Sequence, residues 1–490
     1  MKTKQYPLLA ALLLALAGLW GAQGAVVTVN GQTPGPTPFI SLLNLTVDDA
    51  ATLSHIEFKI YPKPTSDTRP VYARYSKAYM VTRGWLNTTT GAISLPVFGL
   101  YANYNNRVAL VSRFTDQSVQ RDTINVQTPV WDGGSYNVYK TPTIVQPRVP
   151  NTNLSYDFAM LRTNATAAPL IIDTDGEVRW IGVWGIGSNG ILLFDGALYQ
   201  HFGPQLLRTE FDGATSLIAD YSASQGVTVF HHNIDRGKTG MLMEADTTTQ
   251  IESVIMEVNA AGTVLKRWDF ADIISAAMIA GGDDPSGFVK TRGAAGEDWF
   301  HNNAATYRPS DNTLVVSARE DFVVAIDYDT GVIKWILGDT TKKWGQYASL
   351  LNFSLNLGPN TLAPIGEHAI SINRDRLLLF DNGTGSNNHI PRGNSRNYNV
   401  ARKYFIDTAG MMATETWNYA PTPALYSPFC SSVYEDGSRN FLVAYAQITA
   451  LIGLDSSGNK AFDYRYSNPG GGCGTIYNAI PIHLENLRFE

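Results

Sequence analysis

At 490 residues with 44% hydrophobic and only 16% charged side chains, the chain exceeds one ordinary domain of about 150 residues. Its composition excludes a disordered chain and argues against a long coiled coil. Lys+Arg 37 against Asp+Glu 43 gives a formal charge of -6, so no net positive field favours nucleic acid.

In chain order, the first element is an export signal over residues 1–24. Lys2 and Lys4 precede an apolar run from Leu8 to Leu19, and small residues stand at Ala22 and Gly24. The run is short for a bilayer span, and no later segment approaches the roughly 20 apolar residues a transmembrane helix needs, so no membrane span is expected. The expected location is periplasmic or secreted. In such an oxidising compartment the only two cysteines, Cys430 and Cys473, could pair.

From 25 to 140 the chain alternates apolar and polar residues (Ile56, Phe58, Ile60; Val108, Leu110) between turn clusters. A small antiparallel β-sandwich is the economical reading, with a Pro-containing linker at 141–150. From 151 to 490 one element recurs: a β-rich run, an Asp or Asn, a Gly soon after, then a second β-rich run ending in an aromatic. Copies begin near Ile171, Leu206, Ile255, Val323, Lys403 and Ile448. Their Asp-Gly, Thr-Gly and Ser-Gly centres are hairpin turns. Six such hairpins predict an all-β fold, a six-bladed β-propeller behind the sandwich. No long helical period stands in the mature chain, although Phe270 to Ala280 could form a short helix, and insertions around 283–299 and 340–362 are where a substrate-covering rim is expected. Sequons stand at Asn44, Asn164 and Asn382.

Three of the 8 His fall at corresponding places: His232, His301 and His368 each precede a β-run that leads into a hairpin copy. In a propeller such positions converge at one end of the central channel, so three imidazoles should face one another. Arg319 ends the run Thr313 to Ala318, and Cys430 stands at a similar offset before Phe441 to Val443. His231 should point away from its neighbour, and His55, His201, His389 and His483 fall outside the phase. Imidazoles can bind metal, but the spacings match no compact zinc pattern, and neither metal nor cofactor is expected. The chain also lacks a P-loop, a G-x-S-x-G elbow and a sulfatase Cys/Ser-x-Pro-x-Arg motif.

The stretches FHHNID (Phe230 to Asp235), WFHNNA (Trp299 to Ala304), GEHAI (Gly366 to Ile370) and LLLFDNG (Leu377 to Gly383) resemble the bacterial arylsulfate sulfotransferases. So do SRNYNVARKYFID after them and LPVFGLYANYNNRVALV in the first domain. The resemblance implies transfer of a sulfuryl group from an aryl sulfate to a phenol without a nucleotide donor, by double displacement. It implies His368 as the nucleophile, with His232, His301, Asn303 and Arg319 around the transferred group. Which of His231 and His232 takes part stays open. The family's closely spaced cysteine pair is absent, so its disulfide does not transfer to Cys430 and Cys473. Two other readings of the fold are a ligand-binding propeller without catalysis and a quinone-cofactor dehydrogenase. Trp299, Tyr307 and Phe322 are aromatic candidates for the aryl ring.

Overall fold

The computed structural model describes residues 24–163, 169–183, 190–437 and 439–490. The expected export signal and the Asn164 sequon therefore lie outside the described residues. Antiparallel strands dominate, as expected for an all-β chain.

The N-terminal part forms two sheets. Val27–Pro34, Ile40–Val47 and Ala92–Phe98 make one of three strands, and Leu53–Ile60, Val71–Ser76, Asn105–Phe114 and Val119–Gln127 make the other. Burial alternates along Ile40–Val47 and Asn105–Phe114, because each sheet turns one pleat face inward. Leu43, Val97, Ile56, Phe58, Val108 and Leu110 from both sheets share one core. The last strand of the chain, Leu487–Phe489, runs parallel to Val71–Ser76 and completes the second sheet.

Among the described residues six further sheets follow, each built on four antiparallel strands. The first combines Phe158–Arg162, Leu170–Asp173 and Val178–Ile181 with a strand from the far end of the chain, Asn478–Ile482. The second starts at Ile191–Phe194, the third at Val227–Arg236 and the fourth at Asn302–Arg308. The fifth starts at His368–Asn373 and the sixth at Ser432–Asp436. From the second sheet to the sixth, the leading strands touch one another in sequence order, and the sixth touches Asn478–Ile482 of the first. Each of the six hairpin copies read from the sequence is the last antiparallel pair of one sheet's four strands; in the fifth and sixth sheets a short further strand, Asn356–Leu357 and Thr143–Gln146, pairs outside it. Thr313–Ala318 and Asn440–Tyr445 are buried along their whole length, because neighbouring sheets cover both faces and the alternation of a half-exposed strand disappears.

The helix Phe270–Ala280 forms as expected, capped by Asp269, whose side chain accepts the N–H of Ala271. Within 141–150, Thr143–Gln146 is a strand that pairs with Lys460–Arg465 and widens the sixth sheet. Trp299 and Phe322 are fully buried in one core with Phe288, Phe300 and Trp344, which leaves neither ring a free face for an aryl group; Tyr307 packs at its edge. Among the described residues no helix is long and apolar enough to cross a membrane.

Candidate functional site

The site is built where leading strands begin. His232 and His301 both have φ 52, Ala369 has φ 52 and Cys430 φ 56. Non-glycine residues rarely adopt this left-handed backbone. Next to it the pairing ladder slips, between His231 and Ile234, Asn302 and Ala304, and His368 and Ser371. Each slip is a β-bulge that re-aims side chains toward the end of the strand. The expected equal phase of the three histidines is therefore off by one. His232 and His301 occupy the left-handed position, whereas His368 precedes it and corresponds in backbone to His231. Cys430 occupies the position of His232 and His301.

The bulges bring the predicted residues together. The His232 and His301 rings lie 5.1 Å apart, centroid to centroid, and each interacts electrostatically with His368. His231 stands behind His232, their Nδ1 atoms 2.8 Å apart, and its other nitrogen faces Asp246 at 3.5 Å. His232 is thus the member of the pair that faces the cluster. Arg319 donates its backbone N–H to His301 O (3.2 Å), and its guanidinium pairs with the buried Glu320. Glu320 also accepts the backbone N–H groups of Asn387 and Asn388, each at 2.7 Å. Buried Lys342 donates to the carbonyls of Glu320 (2.9 Å) and Arg319 (3.3 Å). Asn303 donates from Nδ2 to the carbonyl of Glu367 at 2.9 Å, so it braces the strand carrying His368.

His368 is held at both nitrogens. Nδ1–H donates to Asn382 Oδ1 (2.8 Å) and faces Gly366 O (3.2 Å), while Nε2 accepts the backbone N–H of Cys430 at 3.1 Å. An accepting Nε2 carries no proton, which fixes the tautomer. Asn382 Nδ2 in turn donates to Cys430 O at 2.9 Å and Ser427 O at 2.8 Å. Burial, then the positive charges of Arg319 and His301, push the His368 pKa down to about 3. Gly366 needs its φ of +62, and a Cβ there would stand 2.4 Å from Thr384 O. Asp381 ties both flanks, accepting the N–H groups of Ile365 (3.0 Å) and Gly383 (3.1 Å) while pairing with Arg402.

His301 differs in charge. Burial opposes its protonation, but Glu252 and Asp298 more than offset it and push its pKa up to about 10. His232 is driven well below the ordinary range by burial, against the pull of Glu252. His231, His232 and Glu252, and likewise Glu252, Asp298 and His301, gather nitrogen and carboxylate atoms within 4.8 Å. In the second group both carboxylates stand against one nitrogen, His301 Nδ1, at 2.9 and 2.7 Å. Cys430 and Cys473 form a disulfide with Cα atoms 5.9 Å apart.

Sequence reasoning missed Tyr477. Its ring packs 6.1 Å from His232, and its hydroxyl is buried without a hydrogen-bond partner. It immediately precedes the closing strand Asn478–Ile482. Tyr477-Asn478 repeats the pattern of His232-Asn233 and His301-Asn302, a signal that was available in the sequence but separated from the other copies by the length of the chain. Asn382 and the carboxylates Glu252 and Asp298 were missed as well. A cavity of about 620 Å³ between the helix Phe270–Ala280 and residues 330–333 and 349–353 contains none of these groups.

Residues 107–466 match the family described as Arylsulfotransferase (ASST), and residues 35–129 match the Arylsulfotransferase Ig-like domain. The chain belongs to the arylsulfotransferase family. It is 24% identical over 350 residues to arylsulfate sulfotransferase AssT of Escherichia coli O6:H1, covering 56% of this chain and 56% of that relative. It is 23% identical over 538 residues to arylsulfate sulfotransferase AssT of Lelliottia amnigena, covering 87% of this chain and 85% of the relative. A computationally designed protein, Ika8, aligns at TM-score 0.30 with 9% identity over 75% of this chain and 91% of its own, a likeness too weak to assign a fold.

Proposed function

We propose that this chain is an exported, nucleotide-independent sulfotransferase moving a sulfuryl group from an aryl sulfate to a phenol through a sulfohistidine on His368. In this reading residues 1–24 are the export signal, 25–140 the sandwich, 141–150 the connection, and 151–490 a six-bladed propeller whose blades are the six sheets. Family membership supports the substrate class, the disulfide fits an oxidising compartment, and closure of the first sheet by the last long strand fits a ring of blades.

The observation that carries the mechanism is the unprotonated Nε2 of His368 beside the positive charges of Arg319 and His301. On releasing the Cys430 N–H, Nε2 attacks sulfur, the S–N bond forms and the S–O bond to the aryl oxygen breaks. Arg319 and the histidines surround the three peripheral oxygens, whose charge must be stabilised as in phosphoryl transfer, while Asn303 braces the strand that carries His368. The phenol leaves, a second phenol attacks the sulfohistidine, and His368 is regenerated. His232 or His301 passes the proton between the two phenols.

Purified protein incubated with 4-nitrophenyl sulfate alone should release about one equivalent of nitrophenolate and carry label on His368, and should turn over continuously only when a second phenol is present. His368→Ala should abolish turnover with the fold intact. Arg319→Ala should lower the rate by an amount equivalent to about 3 to 5 kcal/mol. Near-normal turnover by His368→Ala sinks the mechanism.

A further inference from the structure

We propose that Glu252 and Asp298 are positioning residues that keep His301 as the cationic proton donor of the site, whose Nε2–H serves the departing aryl oxygen. The inference rests on the sulfuryl-transfer reading and assigns the proton that this reading leaves between two histidines. Both carboxylates address the same nitrogen: Glu252 Oε2 is 2.9 Å and Asp298 Oδ2 2.7 Å from His301 Nδ1. One nitrogen carries one proton, so two carboxylates crowding it favour the imidazolium, with the second proton on Nε2. Among the described residues Nε2 has no protein partner, and the side chain is 21% exposed. The clamped nitrogen thus faces the protein and the free one faces the site.

The carboxylates are themselves placed by the backbone. Glu252 donates its N–H to Asp246 Oδ1 (2.8 Å), and its carbonyl accepts the N–H of Asn302 (2.8 Å), the residue after His301. Asp298 lies three residues before His301, and its carbonyl accepts Asn388 Nδ2 at 2.7 Å. The groups around His301 are these two carboxylates, His232 with His231 and Asp246 behind it, His368, and the Arg319–Glu320 pair. Burial works against ionisation of Glu252, but His301 and then His232 lower its pKa; Asp298 is raised by burial and by sharing the cation with a like charge.

The chemistry suits phenols. In the first half-reaction the S–O bond breaks, the aryl oxygen takes the proton from His301 Nε2, and S–N forms on His368. In the second, the incoming phenol returns a proton to His301 Nε2 as its oxygen bonds sulfur and S–N breaks. His301 at about 10 matches a phenol of about 10, so proton transfer is near balance in both directions and the acid is restored each cycle.

The test compares native protein with Glu252→Gln, Asp298→Asn and the double variant, using phenyl sulfate and 4-nitrophenyl sulfate as donors. Nitrophenolate leaves well without a proton and phenolate does not. The double variant should lose about 100-fold in kcat/KM with phenyl sulfate and no more than about threefold with 4-nitrophenyl sulfate. In spectra of protein carrying [15N]histidine, His301 should be an imidazolium at about pH 8, and in the double variant, where burial is no longer offset, it should be neutral there and titrate below the ordinary value of about 6.5. Equal losses with both donors, or a neutral native His301, overturn the inference while native transfer stands. Absence of acceptor-dependent release from either donor by native protein instead overturns the transfer reading.

Discussion

Both nitrogens of His368 are committed before any substrate arrives. Its Nδ1–H ends on Asn382, whose amide holds Cys430 O, and the Cys430 N–H returns to Nε2, closing a ring of hydrogen bonds. The ring selects the tautomer with a free lone pair on Nε2 and fixes where it points, the role a carboxylate plays in other histidine-centred sites. Asn382→Leu should remove this selection. The proton can then move to Nε2, and kcat with 4-nitrophenyl sulfate should fall about 100-fold or more, while the unfolding temperature changes by only a few degrees. An unchanged kcat would mean that Asn382 serves the loop and not the nucleophile. Residue type and spacing marked the three histidines and placed Arg319 near them, whereas Asn303 was added only by the family resemblance. Asn382 stands out in sequence only within LLLFDNG and as a sequon, neither of which aims it at His368, and Glu252 and Asp298 lie in loops where no periodicity marks a carboxylate as aimed at an imidazole.

At the scale of the element, the leading strands are irregular where the site lies. A left-handed non-glycine backbone costs about 1–3 kcal/mol, yet it recurs at His232, His301, Ala369 and Cys430, held by ladders that are regular on either side. The outer hairpins announce themselves through Asp-Gly and Thr-Gly turns, which is why each sheet could be placed from sequence. The bulges have no such signature, because the residue in the strained conformation is chosen for the site. Hence the common phase was readable and the one-residue offset of His368 was not. The same reasoning applies to Thr143–Gln146, whose pairing is decided by the distant strand Lys460–Arg465 and not by its own pattern. Ala369 is buried and carries only a methyl group. Ala369→Val should therefore destabilise by about 2 kcal/mol, since a β-branched side chain resists positive φ, and should lower kcat by turning the preceding His368. Ala369→Gly should leave stability within about 1 kcal/mol of native. Denaturant unfolding of the two variants decides it, and equal stability of Val and Gly would contradict the strain argument.

Across the whole molecule, the end of the chain holds together what its beginning starts. Asn478–Ile482 closes the first sheet, and seven residues further on Phe489 enters the core of the N-terminal sheets. There it packs 5.0 Å from Tyr75, 5.4 Å from Tyr79, 6.2 Å from Phe211 and 6.3 Å from Phe98, centroid to centroid. Phe211 belongs to the second of the six sheets, just after Gln205–Thr209, so one ring joins both parts of the protein. A buried aromatic truncated to alanine costs about 3–5 kcal/mol. Phe489→Ala should therefore lower the unfolding temperature by several degrees, about 2–4 °C for each kcal/mol in a chain of 150–250 residues and less in a longer one. The histidine cluster draws none of its support from Phe489, so kcat at a temperature well below unfolding should stay within about twofold of native, as expected for well-separated sites. Loss of stability with retained kcat would show the C-terminal strand acting as a clasp between the two parts. A fall in kcat at low temperature would instead mean that the sandwich and its contact with the first two sheets help to hold the bulges at His232 and His301.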